Sequence, residues 1–157
     1  EEELDFTWDE PGRYWCNVCN IDQPYRTKHC SKCEDCIAKF DHHCFFLGGC
    51  VGELNPAKFV LYTGVESFCF LWASVIIFDS ITLDDWWHFG CMIISLVMAL
   101  AFGGLVFGLF VYHAYLISMG TTTWEMWKRH RISYMNPYPK HFMPFNEGIC
   151  KNWKRAT

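Results

Sequence analysis

Between Cys16 and Cys50 the chain gathers seven of its ten cysteines with His29, His42 and His43. The order is Cys16-x2-Cys19, nine residues, His29-Cys30, then Cys33 and Cys36 at intervals of three, then Asp41-His42-His43-Cys44, and finally Cys50. A zinc ion takes four nitrogen or sulfur ligands in a tetrahedron, and eight of these residues divide into two such sets of three cysteines and a histidine. The expected partition is Cys16, Cys19, His29 and Cys36 for one ion, with Cys30, Cys33, His43 and Cys50 for the other. The adjacent His29 and Cys30 then serve different ions, which interlocks the two sites.

One sulfur is left over. Cys44 belongs to neither set, and a thiol beside an imidazole and a carboxylate has the parts of a nucleophile. His42 can take the thiol proton, and Asp41 can fix the imidazole tautomer and stabilise the imidazolium. Neighbouring side chains in sequence generally diverge, so a bend imposed by metal at His43 would have to bring the three together. A second reading stays open at this point, in which Cys44 is a spare thiol of a binding module.

The elements that position these residues are a metal-held module and two apolar spans. The chain has 157 residues, 52% of them hydrophobic and 18% aromatic, which is high for a soluble protein of this size. The cysteine count alone suggests a disulfide scaffold, but the histidines at ligand spacing favour reduced thiols in the cytosol. Net charge is only −4, so composition makes no case for nucleic acid, and none is expected as a partner.

Residues 1–13 read as an acidic linker, and the start at Glu1 rather than Met suggests a segment of a longer protein. Residues 14–58 carry the cysteine-rich domain, which has no periodicity that would bury a core and must be held by metal. Residues 59–78 form an apolar stretch with one charge, Glu66, and reach about 30 Å as a helix, the thickness of a bilayer's hydrocarbon. Residues 89–117 are uncharged and form a second, longer span that must tilt or project from one face. Between them, 79–88 holds three aspartates and two tryptophans, as an exoplasmic loop would. All 13 cations lie outside Phe59–Trp127, so the positive-inside rule puts both the cysteine-rich block and the tail, 118–157, in the cytosol. The fold class is therefore an integral membrane α-helical protein with two transmembrane helices and an irregular, short-stranded, two-zinc cytosolic domain. Small residues at Ala99, Gly103, Gly104 and Gly108 mark faces where further helices could dock.

These motifs resemble one family, the Asp-His-His-Cys protein S-acyltransferases, or palmitoyltransferases. The likeness covers the first Cys-x2-Cys pair, Pro24-x-Arg26-x2-His29-Cys30, the closely spaced cysteines, Asp41-His42-His43-Cys44 and Cys50-Val51-Gly52-x2-Asn55-x3-Phe59. Beyond the spans, Thr122-Thr123-Trp124-Glu125 is similar to the family's Thr-Thr-x-Glu motif, and Phe145-Asn146-Glu147-Gly148 with Lys151-Asn152-Trp153 to its C-terminal motif. The resemblance implies transfer of a fatty acyl group from acyl-CoA, such as palmitoyl-CoA, through an acyl-enzyme on Cys44 to membrane-proximal cytosolic cysteines of target proteins. It implies His42 as base, Asp41 as its orienter, two structural zinc ions, and a threonine, Thr122 or Thr123, against the aspartate. Glu125 completes that motif and Asn152 anchors the tail, while Arg26 and Lys28 are candidates to meet the phosphates of coenzyme A. Membrane lipid is a further expected partner, with the endoplasmic reticulum, Golgi or plasma membrane as expected locations.

The chain departs from the family beside the nucleophile. Most members follow the cysteine with Pro-Trp and place paired asparagines before the next one; here Phe45-Phe46-Leu47-Gly48-Gly49 stands instead. The alternative function is accordingly a catalytically inactive, membrane-tethered zinc module that recruits partners. A zinc-dependent ubiquitin ligase module is a more distant rival.

Overall fold

The computed structural model describes residues 13–83 and 85–157, with the side chains of Arg13 and Tyr14 outside it. The acidic stretch expected over 1–13, except the backbone of Arg13, and Asp84 of the expected loop lie outside the described residues. The chain divides into two compact units, one joining the residues up to Ala57 to Leu116–Thr157, the other Lys58–Tyr115.

The first unit begins with three antiparallel hairpins. They pair β1 (Arg13–Cys16) with β2 (Ile21–Pro24), β3 (Lys28–Cys30) with β4 (Asp35–Ile37), and β5 (His42–Cys44) with β6 (Gly49–Val51). Strands of three or four residues cannot hold a sheet unaided. Their turns enter the left-handed region at Asn20 (φ 53°), Glu34 (φ 54°) and Gly48 (φ 62°), a conformation that costs a non-glycine residue about 1 kcal/mol or more. Gly52 follows the last hairpin where the chain passes very close to its neighbour: a Cβ there would stand 2.7 Å from Ile37 Cγ2 and 2.8 Å from the Ala38 carbonyl. Asn55 fixes this exit, accepting from the Gly52 N–H at 2.9 Å and donating to the Cys50 carbonyl at 3.0 Å.

Two long helices follow, α1 (Pro56–Asp79) and α2 (Trp86–Ser118), of 24 and 33 residues. Both are long and apolar enough to cross a bilayer. Large apolar side chains such as Leu61, Phe68 and Trp72 on α1 and Ile94, Phe102 and Leu105 on α2 are exposed, a surface that lipid accepts and water does not. Three hydroxyls inside α1 are satisfied along the helix: Thr63, Ser67 and Ser74 each donate to the carbonyl four residues back. Within this unit Gly103 meets Phe70, and Gly64 meets Phe110, while Gly104 and Gly108 face open space. Both helices start three residues before the expected 59 and 89. Pro56 suits a first helical position, and Asp85 caps α2 by accepting from the Trp87 N–H at 3.1 Å, so the connection is shorter than the expected 79–88.

Helix α2 ends in a Schellman turn. Gly120 takes φ 66°, its N–H donates to the Ile117 carbonyl at 3.0 Å, and the Thr121 N–H donates to Leu116 at 3.1 Å. A Cβ on Gly120 would lie 2.6 Å from the Phe145 carbonyl oxygen, so the tail packs directly on the bare backbone. The turn delivers Thr122 as N-cap of a short helix, α3 (Thr123–Trp127), with Glu125 completing a capping box. Two 3-10 turns, Arg129–Arg131 and Ser133–Met135, lead toward the final helix, α4 (Ile149–Ala156).

Candidate functional site

In a strand, successive side chains point to opposite faces. In β3 this sends His29 to one side and Cys30 to the other; His29 stands directly across from Cys36, and in the next hairpin His43 stands across from Cys50. The ligand atoms of Cys16, Cys19, His29 and Cys36 lie within 4.8 Å of one another, as do those of Cys30, Cys33, His43 and Cys50. Each cluster thus joins the Cys-x2-Cys turn of one hairpin to the cross-strand His/Cys pair of the next.

Individual spacings fit zinc. Zn–S bonds of about 2.3 Å and Zn–N bonds of about 2.0–2.1 Å give a tetrahedron edges of roughly 3.5–3.8 Å. His29 Nδ1 is 3.3 Å from Cys19 Sγ and 3.9 Å from Cys36 Sγ. His43 Nδ1 is 3.3, 3.7 and 3.6 Å from the sulfurs of Cys33, Cys30 and Cys50. Without a cation the thiols of each cluster divide: despite burial, hydrogen bonds from the backbone and neighbouring cysteines pull Cys16 and Cys30 below the ordinary thiol range, while one partner in each cluster is pushed up. Burial, with Cys19 and Cys16 alongside, pushes Cys36 up to about 12 despite the Gln23 amide that donates to its sulfur at 2.9 Å. Burial and the neighbouring Cys30 and Cys33 push Cys50 up as well. A dication in each cluster removes that penalty, so the donor sets suit two structural zinc ions.

The hairpins also repeat. Cys16, Cys30 and Cys44 are spaced by 14, as are the left-handed residues Asn20, Glu34 and Gly48. Cys44 therefore occupies the first-cysteine position of a third turn, whose second cysteine is replaced by Leu47. No fourth hairpin follows, since α1 begins at Pro56. Cys44 thus has the place of a zinc ligand but falls in no ligand cluster among the described residues.

Alternation along β5 puts His42 and Cys44 on one face and His43 on the other, with the metal cluster. The strand separates the directions of these adjacent residues. Asp41, 8% exposed, precedes the strand and holds His42 Nδ1 at 2.7 Å through Oδ1. Cys44 is buried, while Phe45 and Phe46 at the hairpin tip are 87% and 88% exposed.

The other oxygen of Asp41 meets α3. Its Oδ2 accepts the backbone N–H of Thr123 at 2.9 Å. Of the two threonines expected here, Thr123 makes the contact, through its main chain, and its own hydroxyl is buried without a hydrogen-bond partner among the described residues. Thr122 serves α3 instead: its Oγ1 accepts from the Glu125 N–H at 3.2 Å, and its own N–H donates to Glu125 Oε2 at 3.0 Å. Asn152 ties α4 to the end of α2. Its amide donates to the Ser118 carbonyl at 2.8 Å and to Asn146 Oδ1 at 2.9 Å, and its Oδ1 accepts from the Glu147 N–H at 3.1 Å. Trp153 Nε1 adds a bond to Ser118 Oγ at 3.1 Å.

The two cations expected at coenzyme A have other partners in the fold. Arg26 makes a two-pronged ion pair with Glu125, Nε to Oε1 and Nη2 to Oε2, both at 2.7 Å, which neutralises its charge. Lys28 lays its ammonium over the rings of Trp124 (3.8 Å) and Phe40 (4.8 Å), and burial pulls its titration below the ordinary lysine range. Both border a cavity of about 220 Å³ shared with Trp124 and Arg131. Thr27 Oγ1 and Ser133 Oγ, buried without partners among the described residues, belong to residues lining the same cavity.

Known proteins resemble this chain along most of its length. Protein S-acyltransferase 10 of Arabidopsis thaliana is 37% identical over 139 residues, covering 87% of this chain and 41% of that protein. Human palmitoyltransferase ZDHHC12 is 32% identical over 142 residues, covering 87% of this chain and 52% of that protein. A Dictyostelium discoideum protein whose name carries the ZDHHC palmitoyltransferase type is 40% identical over 150 residues, 92% of this chain and 34% of its own length. The chain thus spans a third to a half of the relatives it matches. The family model described as DHHC palmitoyltransferase matches residues 9–130, from the first hairpin's approach through α3. With that match running across both ligand clusters, Cys44 and both apolar helices, the chain belongs to the DHHC palmitoyltransferase family.

Proposed function

We propose that this chain carries the catalytic machinery of a membrane-bound protein S-acyltransferase, with Cys44 as the acyl carrier. The observation that carries the reading is the position of Cys44: outside both ligand clusters, on the same strand face as His42, whose other side is bonded to Asp41 at 2.7 Å.

The chemistry follows from that order. With Nδ1–H held on Asp41, His42 receives the Cys44 proton at Nε2. The thiolate adds to the thioester carbonyl of a fatty acyl-CoA, the carbon–sulfur bond to coenzyme A breaks, and the departing thiolate recovers the proton from the imidazolium. In a second step the thiol of a target cysteine, deprotonated by the same imidazole, takes the acyl group and Cys44 regains its proton. Both zinc ions hold the hairpins and take no part in bond making. The domain division at 14–58, 59–78, 89–117 and 118–157 serves this scheme, with zinc domain and tail on the cytosolic side where acyl-CoA and target cysteines are found. An acyl chain can remain in hydrocarbon while coenzyme A stays in water. Lys28, on the border of the cavity, is the phosphate contact in this proposal.

Incubation of the full-length protein with labelled palmitoyl-CoA tests the reading. Hydroxylamine-labile label on Cys44, abolished in Cys44→Ser with zinc content unchanged, is the expected result. No label on the unaltered protein, with two zinc ions bound, overturns it in favour of an inactive zinc module.

A further inference from the structure

Five donors converge on the carboxylate of Glu125, which is 1% exposed. Arg26 supplies Nε and Nη2 at 2.7 Å each, the Thr122 N–H stands at 3.0 Å, the Tyr134 hydroxyl at 3.1 Å and the Thr121 hydroxyl at 3.2 Å. A capping box requires only the Thr122 bond. The surplus comes from elsewhere in the chain, and its strongest member is Arg26.

Arg26 also reaches the opposite side of the same contact. Its carbonyl accepts the N–H of Phe40 at 3.0 Å, one residue before Asp41. Its guanidinium donates to the Gly120 carbonyl at 3.1 Å as well as to Glu125, on either side of Thr123, and its central carbon lies 4.1 Å from the centroid of the Phe145 ring. One residue thus braces the chain beside Asp41 and the chain on both sides of the N–H that Asp41 accepts. It does so from a left-handed backbone, φ 66°, a strained conformation for a side chain of this size.

We infer that Arg26 is a positioning residue for acyl transfer: acting through Glu125, it sets the Thr123 N–H against Asp41 and so holds the Asp41–His42 pair in register with Cys44. The inference rests on the acyl-enzyme reading above. It separates Arg26 from phosphate binding, because a guanidinium already neutralised by a buried carboxylate has little charge left for a phosphate.

The test is single-turnover acylation of Cys44 in the full-length protein in detergent, across a range of palmitoyl-CoA concentrations, with zinc content measured alongside. Arg26→Ala is expected to lower the maximal acylation rate constant roughly 10- to 100-fold. Half-saturation and the two zinc ions should be unchanged. Arg26→Lys keeps the charge but not the two-pronged geometry and should recover part of the rate. Because Arg26 acts through the Thr123 donor, Arg26→Ala in a Thr123→Pro background should cost less than about threefold more. A raised half-saturating concentration with an unaltered rate constant overturns the inference, as a phosphate ligand would behave that way. Full multiplication of the two losses overturns it too, as general structural support would. Should Arg26→Ala shed zinc because Glu125 is left buried and unpaired, Arg26→Lys and Tyr134→Phe carry the same cycle, and wild-type rates in both refute the inference. Absence of acylation in the unaltered protein removes both readings, whereas the wrong pattern in an active protein removes only this one.

Discussion

Thr123→Pro breaks the contact between α3 and Asp41. Thr123 is the first residue of α3, where proline's fixed φ and missing N–H are compatible with a helix. The residue before it must be extended, and Thr122 already is, at φ −117° and ψ 162°. The lost hydroxyl bonds nothing. What disappears is the 2.9 Å N–H donated to Asp41 Oδ2, and the ring Cδ that takes the hydrogen's place forces that carboxylate to shift. A hydrogen bond to a charged group contributes about 1.5–3 kcal/mol. If that stabilisation is felt when His42 becomes an imidazolium, the acylation rate constant falls roughly 10- to 150-fold. Zinc content should match the parent, with Thr123→Ala as the control that keeps the N–H and the rate. A rate within twofold of the parent, in a protein that keeps both zinc ions, would refute the claim that α3 positions Asp41.

The remaining expectations concern metal and backbone. His43→Ala should lose one zinc ion per chain by elemental analysis, whereas His42→Ala should keep both and slow acyl uptake; equal zinc loss in the two would refute the division of roles across β5. Gly120→Ala should destabilise the first unit by about 1–3 kcal/mol, because it forces φ 66° on a side chain and drives a Cβ to 2.6 Å from the Phe145 carbonyl. Denaturant midpoints would show this, and no shift would mean the tail does not pack there. Zinc binding should release protons at neutral pH, and affinity should rise with pH, since in the metal-free protein Cys36 is held up to about 12 and ionises only with the cation present. An indicator-dye titration that finds no proton release would contradict it.

The metal ligands were legible because tetrahedral chemistry restricts both residue type and spacing, and the spans because a bilayer demands length and apolarity. The relation of Asp41, His42 and Cys44 was not. Read as neighbours they diverge, and only the short strand β5 makes His42 and Cys44 equivalent in direction. The threonine contact was legible as a motif but not as chemistry, since sequence carries no sign that a main-chain N–H and not a hydroxyl would meet the aspartate. The partner of Arg26 was not legible either: a basic residue suggests an anion in solution, and the fold pairs it with Glu125, 99 residues later. The start of α2 was missed because Asp85 reads as a loop charge until its side chain is seen capping Trp87.

The 14-residue repeat explains how a zinc fold leaves a sulfur free. Each hairpin turn supplies two cysteines to a site completed by the following hairpin, so the last turn in such a series can never be completed. Cys44 sits in that turn, with Leu47 where a second ligand would be. The strand leading to it must still present His43 to the preceding cluster, and alternation then commits His42 and Cys44 to the opposite face. Metal bound on one side of β5 would therefore orient His42 and Cys44 on the other. In the free hairpin series that face would be unsupported, and α3 supplies the support by donating to Asp41, itself braced by Arg26 from the turn between the first two hairpins. The zinc clusters and the tail thus constrain the same three residues from different sides, which predicts that the metal-retaining substitutions Thr123→Pro and Arg26→Lys slow acyl transfer without loosening the hairpins.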